Sequence, residues 1–274
     1  MAPTRQDPDI PRIGVIGGSG FYQLFDDAEE IRVETPYGPP SDAFTVGTVG
    51  ERRVAFLPRH GRDHSHAPHT INYRANLWAM RTLGVRQILG PCAVGSLKRE
   101  LGPGSLVIPD QLVDRTSGRT QTYYDAGGVH VSFADPYCAH GRAAALKAAA
   151  TAGERAHDGG AMVVIEGPRF STRAESQWYA AAGWTLVNMT GHPEAVLARE
   201  LGLCYTSLAL VTDLDAGIDA SESVTHTEVL AVFAQNIERL RAVVLETVRL
   251  LPPENTDCAC AHALDGMELP IELP

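Results

Sequence analysis

Short apolar runs alternate with longer stretches of helical periodicity along most of the 274-residue chain. Ile13–Gly17, Val54–Leu57, Ile88–Ala93, Ser105–Ile108, Met162–Ile165, Leu186–Met189 and Tyr205–Thr212 each span four to eight residues. They are rich in Leu or β-branched residues and end at Gly, Pro or charge, the pattern of buried strands. Helical patterns fill Ile71–Leu83, Arg142–Ala152, Arg173–Ala182, Pro193–Leu201 and Thr227–Leu251. The alternation predicts an α/β fold with a mostly parallel, mixed central sheet flanked by helices. No repeat or linker divides the chain. It reads as one domain over residues 1–274, with a core of about 12–251 and a tail at 252–274.

The last helix carries the clearest pattern. Val229, Leu230, Val232, Phe233, Ile237, Leu240, Val243, Val244 and Val248 form one stripe near the 3.6-residue period. Thr225 and Glu228 fit a capping box, and Pro252-Pro253 ends the helix. The tail beyond is expected to pack along a surface or onto a partner subunit.

Hydrophobic residues at 44% and charged residues at 20% describe an ordinary globular protein. The net charge of −10 argues against a nucleic-acid partner, so an anionic ligand would need a local basic site. No run approaches the roughly 20 apolar residues of a membrane span. Met1–Pro11 lacks a signal-peptide pattern, and the five cysteines are an odd number. Together these imply reduced thiols and a cytoplasmic protein. Cys258-Ala-Cys260-Ala-His262 reads either as a disulfide or as a partial metal site. Two cysteines and a histidine fall short of four zinc ligands, so no metal is expected and a structural or redox role is favoured.

Four segments carry candidate chemistry. Gly14-Val15-Ile16-Gly17-Gly18-Ser19-Gly20 runs from a strand into a Gly-rich turn. It fits neither the dinucleotide-binding nor the Walker spacing, which leaves an anion loop and a plain tight turn as the readings. Arg59 to His69 holds four histidines and two arginines in eleven residues. A metal cluster at His64, His66 and His69, a phosphate loop using the Arg59 fork, and a solvated basic loop all fit it. Asn188-Met189-Thr190-Gly191-His192-Pro193 carries a strand end into a helix start, where ligands of α/β sheets collect. Thr212-Asp213-Leu214-Asp215 follows an apolar strand and aims two carboxylates the same way. Such a pair can hold a proton near neutral pH, chelate a cation, or form a turn.

In order along the chain, these segments resemble the methylthioadenosine phosphorylase branch of the trimeric purine nucleoside phosphorylase family. Gly17-Gly18-Ser19-Gly20, Thr35-Pro36-Tyr37-Gly38, Arg59-His60-Gly61, Asn72-Tyr73-Arg74-Ala75-Asn76, Gly95-Ser96-Leu97 and Asp110-Gln111 carry the likeness. So do Glu166-Gly167-Pro168-Arg169-Phe170, Arg173-Ala174-Glu175, Asn188-Met189-Thr190, Pro193-Glu194 and Thr212-Asp213-Leu214-Asp215. The resemblance implies phosphate attack on C1′ of a purine nucleoside, here 5′-methylthioadenosine, giving adenine and 5-methylthioribose 1-phosphate. It also implies that phosphate is the co-substrate and that no metal or organic cofactor takes part.

By the same resemblance, Ser19, Arg59, His60 and Thr190 would hold phosphate beside the Ala93 backbone. Met189 would underlie the ribose and Phe170 the purine. Asp213 would act on N7 as the catalytic acid, and Asp215 would accept from the 6-amino group. His64 and His226 join the substrate-binding set. In the implied homotrimer, His130 would reach a neighbouring pocket.

Two residues depart from the pattern. Cys92 stands where the family often has Thr. His226 stands where the methylthio-specific enzymes tend to have an apolar residue and where other purine nucleoside phosphorylases bond the 5′-hydroxyl. His226 keeps open a broader phosphorylase acting on adenosine or other 5′-polar nucleosides. A phosphate-independent nucleosidase and a non-enzymatic binding module are the remaining readings. Inosine-type substrates are disfavoured, because Asp215 would set an acceptor against a 6-oxo acceptor.

Overall fold

The computed structural model describes residues 9–18, 21, 24–25, 28–218, 225–254 and 257–274; the His226 side chain and Ser19 lie outside the described residues. The elements run β1 (Ile13–Gly17), β2 (Glu29–Ile31), β3 (Phe44–Val49), β4 (Arg52–Pro58), α1 (Tyr73–Thr82), β5 (Gln87–Ser96), β6 (Leu106–Ile108) and β7 (Gln111–Arg115). They continue with α2 (Ala139–Thr151), β8 (Ala156–Asp158), β9 (Ala161–Ile165), α3 (Arg173–Ala181), β10 (Leu186–Asn188), α4 (Gly191–Glu200), β11 (Cys204–Leu214) and α5 (His226–Leu250). Every strand and helix expected from the periodicity is present, with shifts at the ends.

The strands join in one mixed sheet, ordered β2-β3-β4-β1-β5-β10-β9-β7, with β11 on the other side of β5 and β6 and β8 beyond it. The inner pairs β4–β1, β1–β5, β5–β11, β10–β9 and β9–β7 are parallel, as is β6–β8. The pairs β2–β3, β3–β4, β5–β10 and β6–β11 are antiparallel. Strands β2, β3, β7 and β8 carried too weak a pattern to be read from the sequence. Three of them are sheet edges with polar or half-exposed residues, and β3 is interrupted by Gly47. Their pairing comes from the neighbouring strand, which local periodicity does not report.

Successive strand residues point to opposite faces, and both faces are covered. Val15, Phe56, Leu89, Leu208 and Leu210 pack under Ala145 and Ala148 of α2 and Phe233, Leu240, Val244 and Val248 of α5. Ile16, Ala55, Leu57 and Ile88 pack under Leu77 and Met80 of α1 and Leu197 and Ala198 of α4. The small residues of α2 let it lie close against α5, which carries the bulk. Thr225 caps α5 by accepting from the Glu228 N–H. Its hydroxyl also meets the Glu228 carboxylate at 2.5 Å. A complete capping box instead starts α3, between Thr172 and Glu175.

The tail packs onto its own chain. Leu269, Ile271 and Leu273 lie against the α1–α4 core, and Arg81 Nε donates to the Pro274 carbonyl at 3.1 Å. The reading of Cys258, Cys260 and His262 as an incomplete metal set is corrected here. His262 Nδ1 pairs with Asp265 at 2.7 Å. Cys138 and Cys204 instead join Cys258 and Cys260, so four buried sulfur atoms lie within 4.8 Å of one another. Among the described residues no helix is long and apolar enough to cross a membrane.

Candidate active site

A cleft forms where the sheet divides. On one side β5 pairs with β11 from Gln87 to Ser96, with a slip at Thr212. On the other it pairs with β1 only over Gln87–Leu89 and with β10 only at Gly95 and Ser96. The intervening edge opens a cavity lined by Cys92, Ala93, Val94 and Gly95. The ends of β1, β10 and β11 meet around it, which is where α/β sheets present ligand sites.

At one end Arg59 is fully buried and held in a bidentate pair with Glu194, with Nε–Oε1 and Nη2–Oε2 both at 2.8 Å. The Tyr205 hydroxyl also donates to Glu194, at 2.5 Å. The paired face of the guanidinium fork is therefore occupied, because a charge sealed from water needs a partner. Arg59 Nη2 also donates to the Ile16 carbonyl at 3.0 Å, and Nη1 lies 3.3 Å from the Pro91 carbonyl. This Nη1 edge faces the Gly-rich turn. A Cβ on Gly18 would lie 3.0 Å from it and 3.1 Å from the Pro91 carbonyl, so a side chain there would crowd the guanidinium.

His60 donates from Nδ1 to the His66 carbonyl at 2.8 Å, since a carbonyl only accepts. Its ring stacks on His64 at 4.8 Å. Burial, with Arg59 nearby, pushes its pKa down to about 4, so the ring is neutral and Nε2 is left as an acceptor. Thr190 is set by Asn188, whose Oδ1 accepts from the Thr190 and Gly191 N–H groups at 2.8 and 2.7 Å. Asn188 Nδ2 also bridges the split to the Ala93 carbonyl at 3.2 Å. His192 is non-helical, so the regular part of α4 starts at Pro193, as the sequence pattern predicts. Cys92 lines the same end, 3.5 Å from the Ser207 hydroxyl, and burial raises its thiol pKa.

Asp213 and Asp215 occupy another wall. The register between β5 and β11 slips at Thr212, placing Asp213 opposite Gly95. A Cβ on Gly95 would lie 3.0 Å from Asp213 Oδ1 and 3.5 Å from Asp215 Oδ1. The Thr212 hydroxyl donates to Asp213 Oδ2 at 2.8 Å. Burial outweighs that bond and, with the Asp215 charge, pushes the Asp213 pKa up to about 6. Asp215 is 3% exposed, is also pushed up by burial, and among the described residues has no hydrogen-bond partner on Oδ2.

Of the residues singled out in the sequence, Arg59, His60, His64, Ala93, Phe170, Met189, Thr190, Asp213 and Asp215 all line this one cavity. Exposed His130 does not line it. Ser19 and the His226 side chain fall outside the described residues. Among the described residues, His64, His66 and His69 are not part of a metal-ligating group.

Several contributors carried no separate signal in the sequence. Glu194 was only part of a motif, and Val229 and Leu230 of α5 read as core stripe although both line the cavity. Leu230 is 37% exposed, and its misfit to a buried stripe is visible only in the fold. Arg119 also went unread. Its buried guanidinium donates to the Met189, His192 and Glu166 carbonyls at 2.9, 2.7 and 2.6 Å, tying together the backbone behind the cavity.

A family model described as the phosphorylase superfamily matches residues 12–249. A purine nucleoside phosphorylase of Streptomyces coelicolor is 61% identical over 272 residues, covering 96% of this chain and 97% of that protein. An S-methyl-5′-thioadenosine phosphorylase of Mycolicibacterium smegmatis is 60% identical over 265 residues, covering 96% and 99%. The structure of methylthioadenosine phosphorylase from Schistosoma mansoni in complex with adenine superposes with a TM-score of 0.87 at 38% identity, covering 92% of this chain and 96% of that one. The cleft at the divided sheet, its paired carboxylates and these likenesses agree: this chain belongs to the phosphorylase superfamily, in its methylthioadenosine phosphorylase branch.

Proposed function

We propose that the chain cleaves 5′-methylthioadenosine with phosphate, releasing adenine and 5-methylthioribose 1-phosphate. The observation that carries this reading is the carboxylate pair of half-buried Asp213 and buried Asp215 in a cavity whose wall at α5 is apolar. Asp213, with its pKa near 6, keeps a protonated fraction at neutral pH and gives a proton to N7 as the base leaves. Asp215 Oδ2, which has no hydrogen-bond partner among the described residues, accepts from the 6-amino group. Phe170 packs on the purine and Met189 beneath the ribose. Val229 and Leu230 take the thioether, which needs no hydrogen bond.

Phosphate sits between the Arg59 Nη1 edge, the Thr190 hydroxyl and the Ala93 backbone, and Ser19 completes the set. Neutral His60 accepts from the hydroxyl of hydrogen phosphate through Nε2. Because Glu194 offsets the Arg59 charge, the end is polar without being a strong anion trap. The bound phosphate then stabilises the oxocarbenium-like sugar as the base departs. These steps use phosphate as co-substrate and ask nothing of a cofactor. Relatives named S-methyl-5′-thioadenosine phosphorylase at 60% and 58% identity support the substrate assignment.

The reading takes residues 1–274 as a single catalytic domain acting as a homotrimer in the cytoplasm, with His130 entering a neighbouring pocket. The exposure of His130 outside its own cavity supports that role. A broader phosphorylase acting on adenosine is favoured by His226 and by the purine nucleoside phosphorylase name of the 61% identical relative.

Measuring kcat/KM for methylthioadenosine, adenosine and inosine, with and without phosphate, tests these readings. Phosphate-dependent cleavage with methylthioadenosine preferred is expected. A wide preference for adenosine would establish the broader enzyme, and cleavage unchanged without phosphate would establish a nucleosidase. If adenosine is preferred, replacing His226 by Val should shift preference toward the thioether.

A further inference from the structure

We propose that Cys138, Cys204, Cys258 and Cys260 form a tetrathiolate zinc site that fastens the C-terminal tail to the catalytic core. The four sulfur atoms come from separate parts of the chain: the N-cap of α2, the first residue of β11, and two alternate positions of the tail. All four side chains are buried, and the sulfurs lie within 4.8 Å of one another. Cys138 and Cys258 are 3.3 Å apart, and Cys204 and Cys258 are 3.7 Å apart. Ligands about 2.3 Å from a tetrahedral centre stand about 3.8 Å from each other, whereas a disulfide needs about 2 Å. The spacing matches a cluster around a small soft cation better than either bonded pair.

The surroundings suit a charged centre. Four thiolates and one Zn²⁺ leave two negative charges, which a closed pocket must offset. Arg199 Nη2 lies 3.7 Å from Cys260 Sγ, and the Gly141 N–H at the start of α2 points to Cys138 Sγ at 3.5 Å. Helix starts and nearby guanidinium groups both favour thiolate. A reducing cytoplasm keeps such cysteines available for metal. Binding would release the thiol protons and involves no change of oxidation state.

The site would also order residues outside it. Arg199 donates to the Ser132 and Asp135 carbonyls at 2.7 and 2.6 Å, so the segment carrying His130 hangs from the same guanidinium. Beyond Cys260 the tail lays Leu269, Ile271 and Leu273 on the α1–α4 core. Zinc would therefore act on structure, about one strand's length from the Asp213 end of β11.

The test uses the full chain, purified under reducing conditions without a metal-binding tag or chelator. Elemental analysis should find one zinc per chain, and exchange with Co²⁺ should give the intense visible bands of a tetrahedral thiolate site. The Cys258→Ser/Cys260→Ser double variant should lose the metal and melt at a lower temperature, while Cys92→Ser keeps it. Wild-type protein that stays metal-free after incubation with Zn²⁺ under reduction would overturn the proposal. So would full metal content in the double variant. Non-reducing mass measurement showing two or four hydrogens missing, with these four cysteines closed to alkylation, would assign them to disulfides and overturn it as well.

Discussion

Arg59 and Glu194 form two parallel 2.8 Å hydrogen bonds, with side chains 1% and 0% exposed. The pair sets which edge of the guanidinium can meet an anion. Glu194 pushes the Arg59 pKa further up despite full burial, so the cation persists at any working pH. Glu194→Gln would leave that cation sealed in with a neutral partner. Removing one member of a buried pair costs about 3–5 kcal/mol. Urea unfolding of the variant should show a loss of that order, together with a higher KM for phosphate and a smaller change for the nucleoside.

Asp213→Asn removes the proposed proton donor while keeping the shape. Loss of a general acid lowers kcat/KM by about 10²–10⁴-fold. On the proposed mechanism the protonated form of Asp213 is the active one, so at saturating phosphate kcat/KM should fall as pH rises past about 6. The variant should lack that limb of the profile.

The same shift has a sign for stability. The Asp213 pKa rises from 3.8 in the open chain to about 6 in the fold. Below pH 3.8 the group is protonated in both states and costs nothing. Between these values the unfolded chain ionises first, so native stability falls as pH rises, by about 3 kcal/mol in all. Asp213→Asn should therefore be more stable than wild type at pH 7 and equal to it near pH 3, as read by denaturant midpoints across pH.

Gly95 is the point where the sheet approaches both carboxylates. Gly95→Ala would put a methyl group 3.0 Å from Asp213 Oδ1 and 3.5 Å from Asp215 Oδ1. The Asp213 carboxylate must then give by a few tenths of an ångström, while the Asp215 contact is ordinary; a misplacement of about 1 Å costs about 10²-fold in rate. The expected result is a large fall in kcat/KM with an unchanged circular dichroism spectrum. Native activity would show that neither carboxylate is held in place by this contact.

Val229→Thr keeps size and adds a hydroxyl to the apolar wall of the cavity. A change of that kind is worth about 1–3 kcal/mol in discrimination. The ratio of kcat/KM for methylthioadenosine over adenosine should drop by about ten-fold or more. An unchanged ratio would place the 5′-substituent elsewhere.

The layered α/β architecture was legible along the chain, because buried strands and amphipathic helices carry their own periodicity: Val15 and Ile16 face opposite layers, and Phe233 and Leu240 share one. The sequence also marked Arg59, His60, Thr190, Asp213 and Asp215, since each sits in a motif at a strand end. How these groups are arranged came from the packing of the folded chain. The split on β5 opens the cleft, the slip at Thr212 aims the carboxylates past Gly95, and Glu194 takes the face of Arg59 that a phosphate loop would offer. That packing also decided the fate of the cysteines, bringing Cys138 and Cys204 to a tail motif 120 and 54 residues away. Pairings over such separations depend on packing between distant segments, and no local pattern encodes them.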